Sequence, residues 1–196
     1  MQETPLNSEY WNHRYQQHET GWDIGQVSTP LKEYIDQLQH KDIAILIPGC
    51  GNSYEAAYLL QQGFTNVTVI DIAPLLVQQL LQKFSDYTGN QLTVIAGDFF
   101  RLQGQYDLIL EQTFFCALEP SLRPQYAIKM KELLKPGGTL AGVLFNRDFE
   151  GGPPFGGNTG EYQQLFAPLF TIKTMAPCYN SIVPRAGAEV FITFKV

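Results

Sequence analysis

The 196-residue sequence has few cysteines, little positive charge and no long apolar run. Its three cysteines, Cys50, Cys116 and Cys178, lie far apart and show neither metal-ligand spacing nor a disulfide framework. Thirteen Lys and Arg residues against nineteen Asp and Glu residues give a net charge of -6. The basic residues are scattered, whereas nucleic-acid binding usually leaves a basic patch. We therefore expect no metal site, no disulfide-stabilised domain and no nucleic-acid partner.

The sequence also lacks recognisable targeting and membrane signals. The beginning, MQETPLNSEYWNHRY, is polar and unlike a signal peptide, and no run of about 18 apolar residues predicts a membrane span. Apolar residues make up 44% of the chain and aromatic residues 13%, which is typical of a globular protein. The expectation is a cytoplasmic monomer that binds no membrane and consists of one domain over 1–196.

Short apolar segments alternate with helical patterns from residue 42 onwards. The sequence predicts strands over 42–48, 66–72, 91–98, 105–112, 139–145, 170–178 and 188–196, and helices over 53–63, 74–87, 122–138 and 161–169. This alternation indicates an α/β fold of the Rossmann type, with a mostly parallel sheet of seven strands flanked by helices. Residues 1–40 form an aromatic-rich N-terminal arm before the 41–196 core. Ligands of such sheets bind beyond the carboxyl ends of the strands.

The first strand ends in the turn PGCG, with Gly49 and Gly51. Glycines permit a tight turn and a close approach of the backbone to a ligand. A dinucleotide-binding turn would carry a third glycine where this chain has Tyr54, and the Tyr54-Glu55 pair disfavours a pyrophosphate. The turn alone is equally compatible with an ordinary loop.

The next two strand ends carry carboxylates. Asp71 follows the glycines by about 20 residues, a spacing typical of a carboxylate that binds ribose hydroxyls, although it can also cap the next helix. Asp98 can accept from an adenine amino group while Phe99 covers the ring. The alternative is a polar strand exit followed by core aromatic residues.

The fourth strand ends in Glu111, which can meet a cationic centre or pair with a nearby basic residue. Acids at successive strand ends, an aromatic residue and an incomplete glycine pattern fit a nucleoside without phosphate. S-adenosyl-L-methionine carries adenosine, a sulfonium and an amino acid, so the sequence predicts it as the cofactor, with S-adenosyl-L-homocysteine as the product.

Several segments together give a more specific indication. With GWDIG, LIPGCGNSYEA, VIDIA, GDFF, YDLILEQTFFCALEPSLRP, LLKPGG and GGPPF, the chain resembles the thiopurine S-methyltransferase superfamily of class I S-adenosylmethionine-dependent methyltransferases. Within that superfamily it is similar to the branch of plant halide/thiol methyltransferases and bacterial relatives. The FFCALEPSLRP and GGPPF segments discriminate better than any glycine pattern, and the similarity runs almost end to end.

The resemblance implies cofactor-binding roles at matching positions. They are the arm aromatics Trp11, Tyr15 and Trp22, the turn glycine Gly49, the ribose carboxylate Asp71, the adenine contacts Asp98 and Phe99, and the strand-four pair Glu111 and Gln112. The chain departs from its relatives at two places. Tyr15 stands where many halide/thiol relatives have tryptophan, and Glu111-Gln112-Thr113 replaces Asp-Arg-Gly of thiopurine enzymes or Asp-Tyr of plant enzymes.

The predicted function is methyl transfer to a small soft nucleophile: a thiol, hydrosulfide, halide or thiocyanate. Thiolates are reactive near neutral pH, so transfer depends on alignment and no catalytic base is assigned. Alternatives are a thiopurine or tellurite/metalloid methyltransferase and, more remotely, a non-catalytic nucleoside-binding module. Candidate substrate residues are Phe155, Tyr179, Asn180 and Arg185, whereas Arg123 is expected to form a structural ion pair.

Overall fold

The computed structural model describes residues 5–196, so the first four residues of the predicted arm lie outside the described residues. The strands are β1 Ile45–Pro48, β2 Val67–Asp71, β3 Leu92–Ala96, β4 Tyr106–Gln112, β5 Leu134–Phe145, β6 Thr171–Pro177 and β7 Glu189–Lys195. The α-helices are α1 Ser8–Gln16, α2 Thr29–Asp36, α3 Tyr54–Gln61, α4 Pro74–Lys83, α5 Arg123–Leu133 and α6 Thr159–Phe166. In this part of the chain, no helix is both long and apolar enough to cross a membrane.

All seven strands form one sheet in the order β3-β2-β1-β4-β5-β7-β6. The pairs from β3 to β5 are parallel, and β7 runs antiparallel between β5 and β6. The predicted α/β class and the mostly parallel seven-stranded sheet are confirmed. This topology brings the carboxyl ends of β1 to β5 to one edge of the sheet, where open α/β folds bind ligands.

Apolar side chains cover both faces of the sheet. In β1, Leu46 joins one buried cluster, while Ile45 and Ile47 join the cluster on the opposite face. Such burial on both faces explains why β1 is continuously apolar rather than alternating. The first cluster is rich in aromatic residues, including Phe115, which follows β4, and Phe166 of α6.

The segment LKPGG differs from the predicted helix end. α5 ends at Leu133, and β5 already begins at Leu134, so the Pro-Gly-Gly sequence lies inside the strand. The β4–β5 pairing shifts between Tyr106 and Leu108, and Gly137 adopts a left-handed conformation with φ +79°. The glycines therefore form a strand irregularity, which is one of the positions where glycine is favoured within a sheet.

The N-terminal arm contributes two helices with different packing. α2 buries Pro30, Leu31 and Ile35 against the core, whereas α1 has no buried residue. The partly buried rings of Trp11 and Tyr15 pack against the core. Polar contacts also hold α1: the Ser8 hydroxyl donates to Ile72 O at 2.8 Å, and Asn12 Oδ1 accepts from Leu75 N at 2.9 Å.

The structural role expected of Arg123 is confirmed. Its guanidinium pairs with Glu161 of α6 at 2.5 Å and donates to Gly156 O at 2.6 Å. It also lies 4.8 Å from the centroid of the Phe115 ring. Arg123 thereby ties the start of α5 to the loop between β5 and α6.

Candidate active site

A cavity of about 610 Å³ opens at the carboxyl edge of the sheet. Its volume falls within the range typical of small-molecule sites. The walls come from the arm, the glycine turn after β1, the ends of β2 to β4, and the loops after β5 and β6. Asp71 and Asp98 lie toward one end, whereas Phe145 and Arg185 lie on the side of β5 and β7.

The glycine turn is fixed by its backbone geometry. Gly49 and Gly51 have φ of +55° and +50°, a region that costs other residues roughly 1–2 kcal/mol. A Cβ on Gly49 would overlap the ring of Phe114. Ser53, the last residue before α3, has φ 53° despite its side chain. Strained non-glycine backbone of this kind clusters at functional sites.

Asp71 lies at the end of β2 and is almost fully buried. Its Oδ2 accepts from Gly51 N at 3.1 Å and its Oδ1 from Ala73 N at 3.0 Å. Burial raises the pKa of Asp71, and these backbone donors oppose the rise. Each carboxylate oxygen has one further lone pair for a ligand hydroxyl. The carboxylate therefore both orders the glycine turn and faces the cavity.

The end of β3 presents Asp98 and Phe99 side by side. Asp98 Oδ1 accepts from Phe100 N at 2.9 Å and caps a 3-10 helix over Phe99–Arg101. The Asp98 side chain is nevertheless 43% exposed and lines the cavity, as does Phe99. The Phe99 ring packs edge-to-face on Phe114 with 5.1 Å between centroids.

Three arm aromatics close one side of the cavity. The Trp22 ring packs nearly perpendicular to Trp11 and Tyr15, with centroid distances of 5.5 and 5.8 Å. Burial and the nearby Asp71 carboxylate raise the pKa of Tyr15, which keeps its hydroxyl neutral. All three residues line the cavity, so the structure brings the predicted arm residues to the predicted strand ends.

The strand-four pair divides between two environments. Gln112 lines the cavity and its Oε1 accepts from the Ser28 hydroxyl at 2.8 Å. Glu111, by contrast, is completely buried outside the large cavity. Its Oε1 accepts from Phe114 N and Phe115 N at 2.8 and 3.0 Å. The carboxylate, for which a cofactor contact is predicted, turns inward to hold this backbone and does not line the large cavity.

Burial raises the pKa of Glu111 to about 7, although the Tyr126 hydroxyl and the two backbone donors oppose the rise. The residues that follow Glu111 line the cavity, including Phe114, Cys116 and Thr113, whose φ is 59°. Glu111 thus shapes the cavity wall through the backbone without touching the cavity itself.

Of the four candidate substrate residues, one lines the cavity and three do not. Arg185 lines the cavity, and its side chain is only 12% exposed. It donates to Trp22 O at 2.9 Å and lies 3.6 Å from Glu189. Its guanidinium is 5.7 Å from the centroid of the Phe145 ring. Arg185 therefore places a nearly buried cation on the β5–β7 side of the cavity.

The three other substrate candidates do not line the cavity. Phe155 packs beside Gly152 of its own loop and donates its N–H to Cys116 O, so that Pro153 and Pro154 face the cavity instead. Tyr179 is 87% exposed and donates to Glu33 at 2.6 Å. Asn180 accepts a hydrogen bond from the Cys178 thiol. Residue type in a loop did not reveal which way each side chain points.

Several cavity residues were not predicted from the sequence. Arg14 and Asp23 of the arm, and Phe114 after β4, all line the cavity. The Arg14 guanidinium lies 5.4 Å from the Trp22 ring centroid. Their position next to Tyr15, Trp22 and the fourth strand end was the only available signal. Over residues 5–196, no group of three or more His, Cys, Asp or Glu side chains is arranged to hold a metal ion.

Comparison with known proteins agrees with this geometry. The family model described as thiopurine S-methyltransferase matches residues 6–190. The probable thiol methyltransferase 2 of Arabidopsis thaliana is 31% identical over 184 residues, covering 91% of this chain and 81% of the relative. Thiocyanate methyltransferase 1 of Brassica oleracea is 29% identical over 185 residues, covering the same shares of the two chains.

The fold also matches a solved structure, the 1,6-didemethyltoxoflavin-N1-methyltransferase of Burkholderia thailandensis with bound S-adenosylhomocysteine. The TM-score is 0.76 at 19% identity, and the match covers 100% of this chain and 91% of the other. The protein is an enzyme that uses S-adenosyl-L-methionine to methylate small nucleophiles. With a family match over residues 6–190, the chain belongs to the thiopurine S-methyltransferase family.

Proposed function

We propose that the methyl acceptor is a small soft nucleophile, either a thiol or hydrosulfide or an anion such as thiocyanate or a halide. The observation that carries this proposal is the β5–β7 side of the cavity. There, Phe145, Pro153, Pro154 and Arg185 line the cavity, and the guanidinium lies 5.7 Å from the centroid of the Phe145 ring. Apolar lining residues on the same side of the cavity as a nearly buried cation favour an anion that is weakly hydrated.

The described lining also supports this acceptor class by its chemistry. None of the lining residues between Leu6 and Ala188 is a histidine or a lysine, and each of the four lining acids already accepts a hydrogen bond from the protein. An alcohol or amide would need a base to remove its proton, whereas a thiol ionises near neutral pH and reacts as the thiolate. The names of the thiol and thiocyanate methyltransferases that resemble this chain agree with this chemistry.

We further propose how the chain holds its cofactor. Bound S-adenosylmethionine supplies a methyl group activated by a sulfonium. Asp71 fits as an acceptor for ribose hydroxyls because each of its oxygens makes one backbone contact and retains a lone pair. The remaining proposed contacts are Trp11, Tyr15, Trp22, Gly49, Asp98, Phe99 and Gln112, all of which line the cavity.

The acidic and aromatic side chains of the cavity suit a cationic nucleoside that carries no phosphate. Four acids line the cavity, namely Asp23, Glu55, Asp71 and Asp98. Aromatic faces attract a sulfonium as they attract other cations, and the arm provides three of them. The role of the chain is therefore to align the acceptor, exclude water and stabilise positive charge. We assign no residue as a general base.

The test is a methyl-transfer screen with the purified enzyme. Hydrosulfide, small thiols, thiocyanate, iodide, thiopurines and tellurite are each supplied with S-adenosylmethionine, and S-adenosylhomocysteine formation is measured. We expect turnover with the thiols or soft inorganic anions. An Arg185→Met variant should lose mainly affinity for the acceptor. Preference for tellurite or thiopurines over hydrosulfide, the small thiols, thiocyanate and iodide would contradict the proposal.

A further inference from the structure

The aspartate of the GWDIG segment joins the arm to the glycine turn. Asp23 Oδ2 accepts hydrogen bonds from the Asn52 side-chain amide and from the Tyr54 hydroxyl, the latter at 3.2 Å. Asp23 Oδ1 accepts from Gly25 N at 2.7 Å, which fixes the carboxylate within the arm. One carboxylate thus links a segment before the core to the first turn of α3.

The partner residues are held firmly on the core side. Tyr54 begins α3, and Lys83 Nζ lies 4.9 Å from the centroid of its ring. Lys83 also donates to Asn52 O at 2.7 Å. Because Lys83 ends α4, the hydrogen-bonding groups that face Asp23 are anchored by two core helices.

The arm side depends more strongly on this contact. No residue of α1 is fully buried, and its packing against the core rests on the partly buried rings of Trp11 and Tyr15. Trp22, which precedes Asp23, packs edge-to-face on Trp11 and Tyr15 at the cavity wall. Asp23 therefore helps to place the adjacent Trp22, whose backbone carbonyl also accepts from Arg185, against the rings of Trp11 and Tyr15.

We propose that Asp23 and Tyr54 are positioning residues that hold the arm aromatics over the cofactor end of the cavity. Tyr54 stands where a dinucleotide-binding turn has its third glycine, and here its hydroxyl fastens the arm. The contact stabilises the closed arrangement around the cofactor and slows its release. It does not touch the acceptor side of the cavity, so it acts on cofactor affinity rather than on methyl transfer.

The first test is Tyr54→Phe, with Tyr58→Phe as the matched control. Tyr58 lies one turn later on α3 and donates to Asp36, away from the cavity lining. A hydrogen bond to a charged group affects binding by about tenfold or more. We expect Tyr54→Phe to weaken S-adenosylhomocysteine binding about tenfold, mainly through faster release. Tyr58→Phe should leave this affinity unchanged.

The kinetic constants separate positioning from general damage. In Tyr54→Phe, the KM for S-adenosylmethionine should rise about as much as the dissociation constant, while kcat stays within about twofold. The melting temperatures of the two Tyr→Phe variants should be similar. A lower kcat with an unchanged KM would overturn the proposal.

A double-mutant cycle tests whether the two residues act together. Asp23→Asn should weaken S-adenosylhomocysteine binding. Tyr54→Phe should then weaken binding less in the Asp23→Asn variant than it does in the wild type. Additive effects, or unchanged affinity in both single variants, would overturn the proposal. If Asp23→Asn does not fold, Asn52→Ala takes its place in the cycle. Calorimetry with S-adenosylhomocysteine requires no acceptor, so the result is independent of the proposed acceptor class.

Discussion

The Tyr126 hydroxyl donates to Glu111 Oε2 at 2.5 Å in the core beneath the candidate active site. Glu111 also accepts from two consecutive backbone amides after β4. This carboxylate therefore holds the cavity wall in place from behind. Its complete burial has a consequence for stability, because burial raises the pKa of Glu111 to about 7.

Glu111 should make folding stability fall as the pH rises. Below the unfolded pKa of about 4.5 the carboxyl is protonated in both states, and above it the unfolded chain loses its proton first. The free energy of unfolding therefore decreases as the pH rises from the unfolded pKa to the folded pKa of about 7. The total decrease is about 3 kcal/mol. Glu111→Gln should remove this loss. Urea denaturation at pH 5 and pH 8 measures the free energy of unfolding of the wild type and of Glu111→Gln. If the two proteins differ by the same amount at both pH values, the prediction is wrong.

Tyr126→Phe supplies the complementary measurement. The Tyr126 hydroxyl lowers the pKa of Glu111 against the effect of burial. Without this hydroxyl the pKa of Glu111 should rise further, so the variant should lose stability over a wider pH range. The same urea series, extended above pH 8, compares the two variants directly.

Gly49→Ala should be far more damaging than a glycine replacement elsewhere. Gly49 and Gly63 both have positive φ, +55° and +84°, so alanine costs about 1–2 kcal/mol at either position. At Gly49 the new methyl group would also overlap the Phe114 ring, whereas nothing lies within 4 Å at Gly63. We expect a lower Tm for both variants, and loss of S-adenosylhomocysteine binding only for Gly49→Ala. Isothermal titration calorimetry with S-adenosylhomocysteine compares the cofactor binding of the two variants.

Asp71→Ala should abolish measurable cofactor binding. The change removes the acceptor for Gly51 N and for the proposed ribose hydroxyls, and each unsatisfied group costs roughly 1–3 kcal/mol. Asp107→Ala is the matched control, since Asp107 also accepts from a backbone amide, Ala44 N at 2.8 Å, but does not line the cavity. Isothermal calorimetry should show S-adenosylhomocysteine binding in the control alone. Equal affinities in the two variants would refute the assignment.

Arg123→Met should destabilise the fold without a direct effect on the site. Its side chain is 6% exposed, and losing one partner of a buried ion pair costs about 3–5 kcal/mol, less here because Glu161 is 41% exposed. Lys32→Met provides the control, because the Lys32–Asp36 pair is well exposed and such pairs contribute little to stability. Equilibrium denaturation compares them, and equal losses would contradict the structural role of Arg123.

The three cysteines should be unreactive in the folded protein. Burial raises the pKa of each thiol, to about 12 for Cys116, with Cys50 and Cys178 shifted in the same direction. Thiolate is the reactive form, so a disulfide reagent at pH 8 should modify the native enzyme slowly and the unfolded enzyme rapidly. Rapid labelling of the native Cys178→Ser variant would contradict this prediction, because it would show that Cys50 or Cys116 is reactive.

The sequence by itself determined the element order of the 41–196 core and the carboxyl ends of its parallel strands. Continuously apolar strands, helices at regular spacing and glycines after β1 depend on local chain chemistry, which a linear reading captures. Because parallel strands end at one edge, Asp71, Asp98 and Gln112 were expected near one another, and the structure places all three in the cavity wall.

Only the tertiary structure decided the direction of individual side chains. Glu111 follows the same kind of strand as Asp71, yet Tyr126 and two backbone amides draw its carboxylate into the core. Asp23 and Tyr54 are separated by 31 positions, and nothing local indicates that they meet. A side chain's direction depends on partners that folding brings from distant parts of the chain, and residue type and spacing do not contain that information.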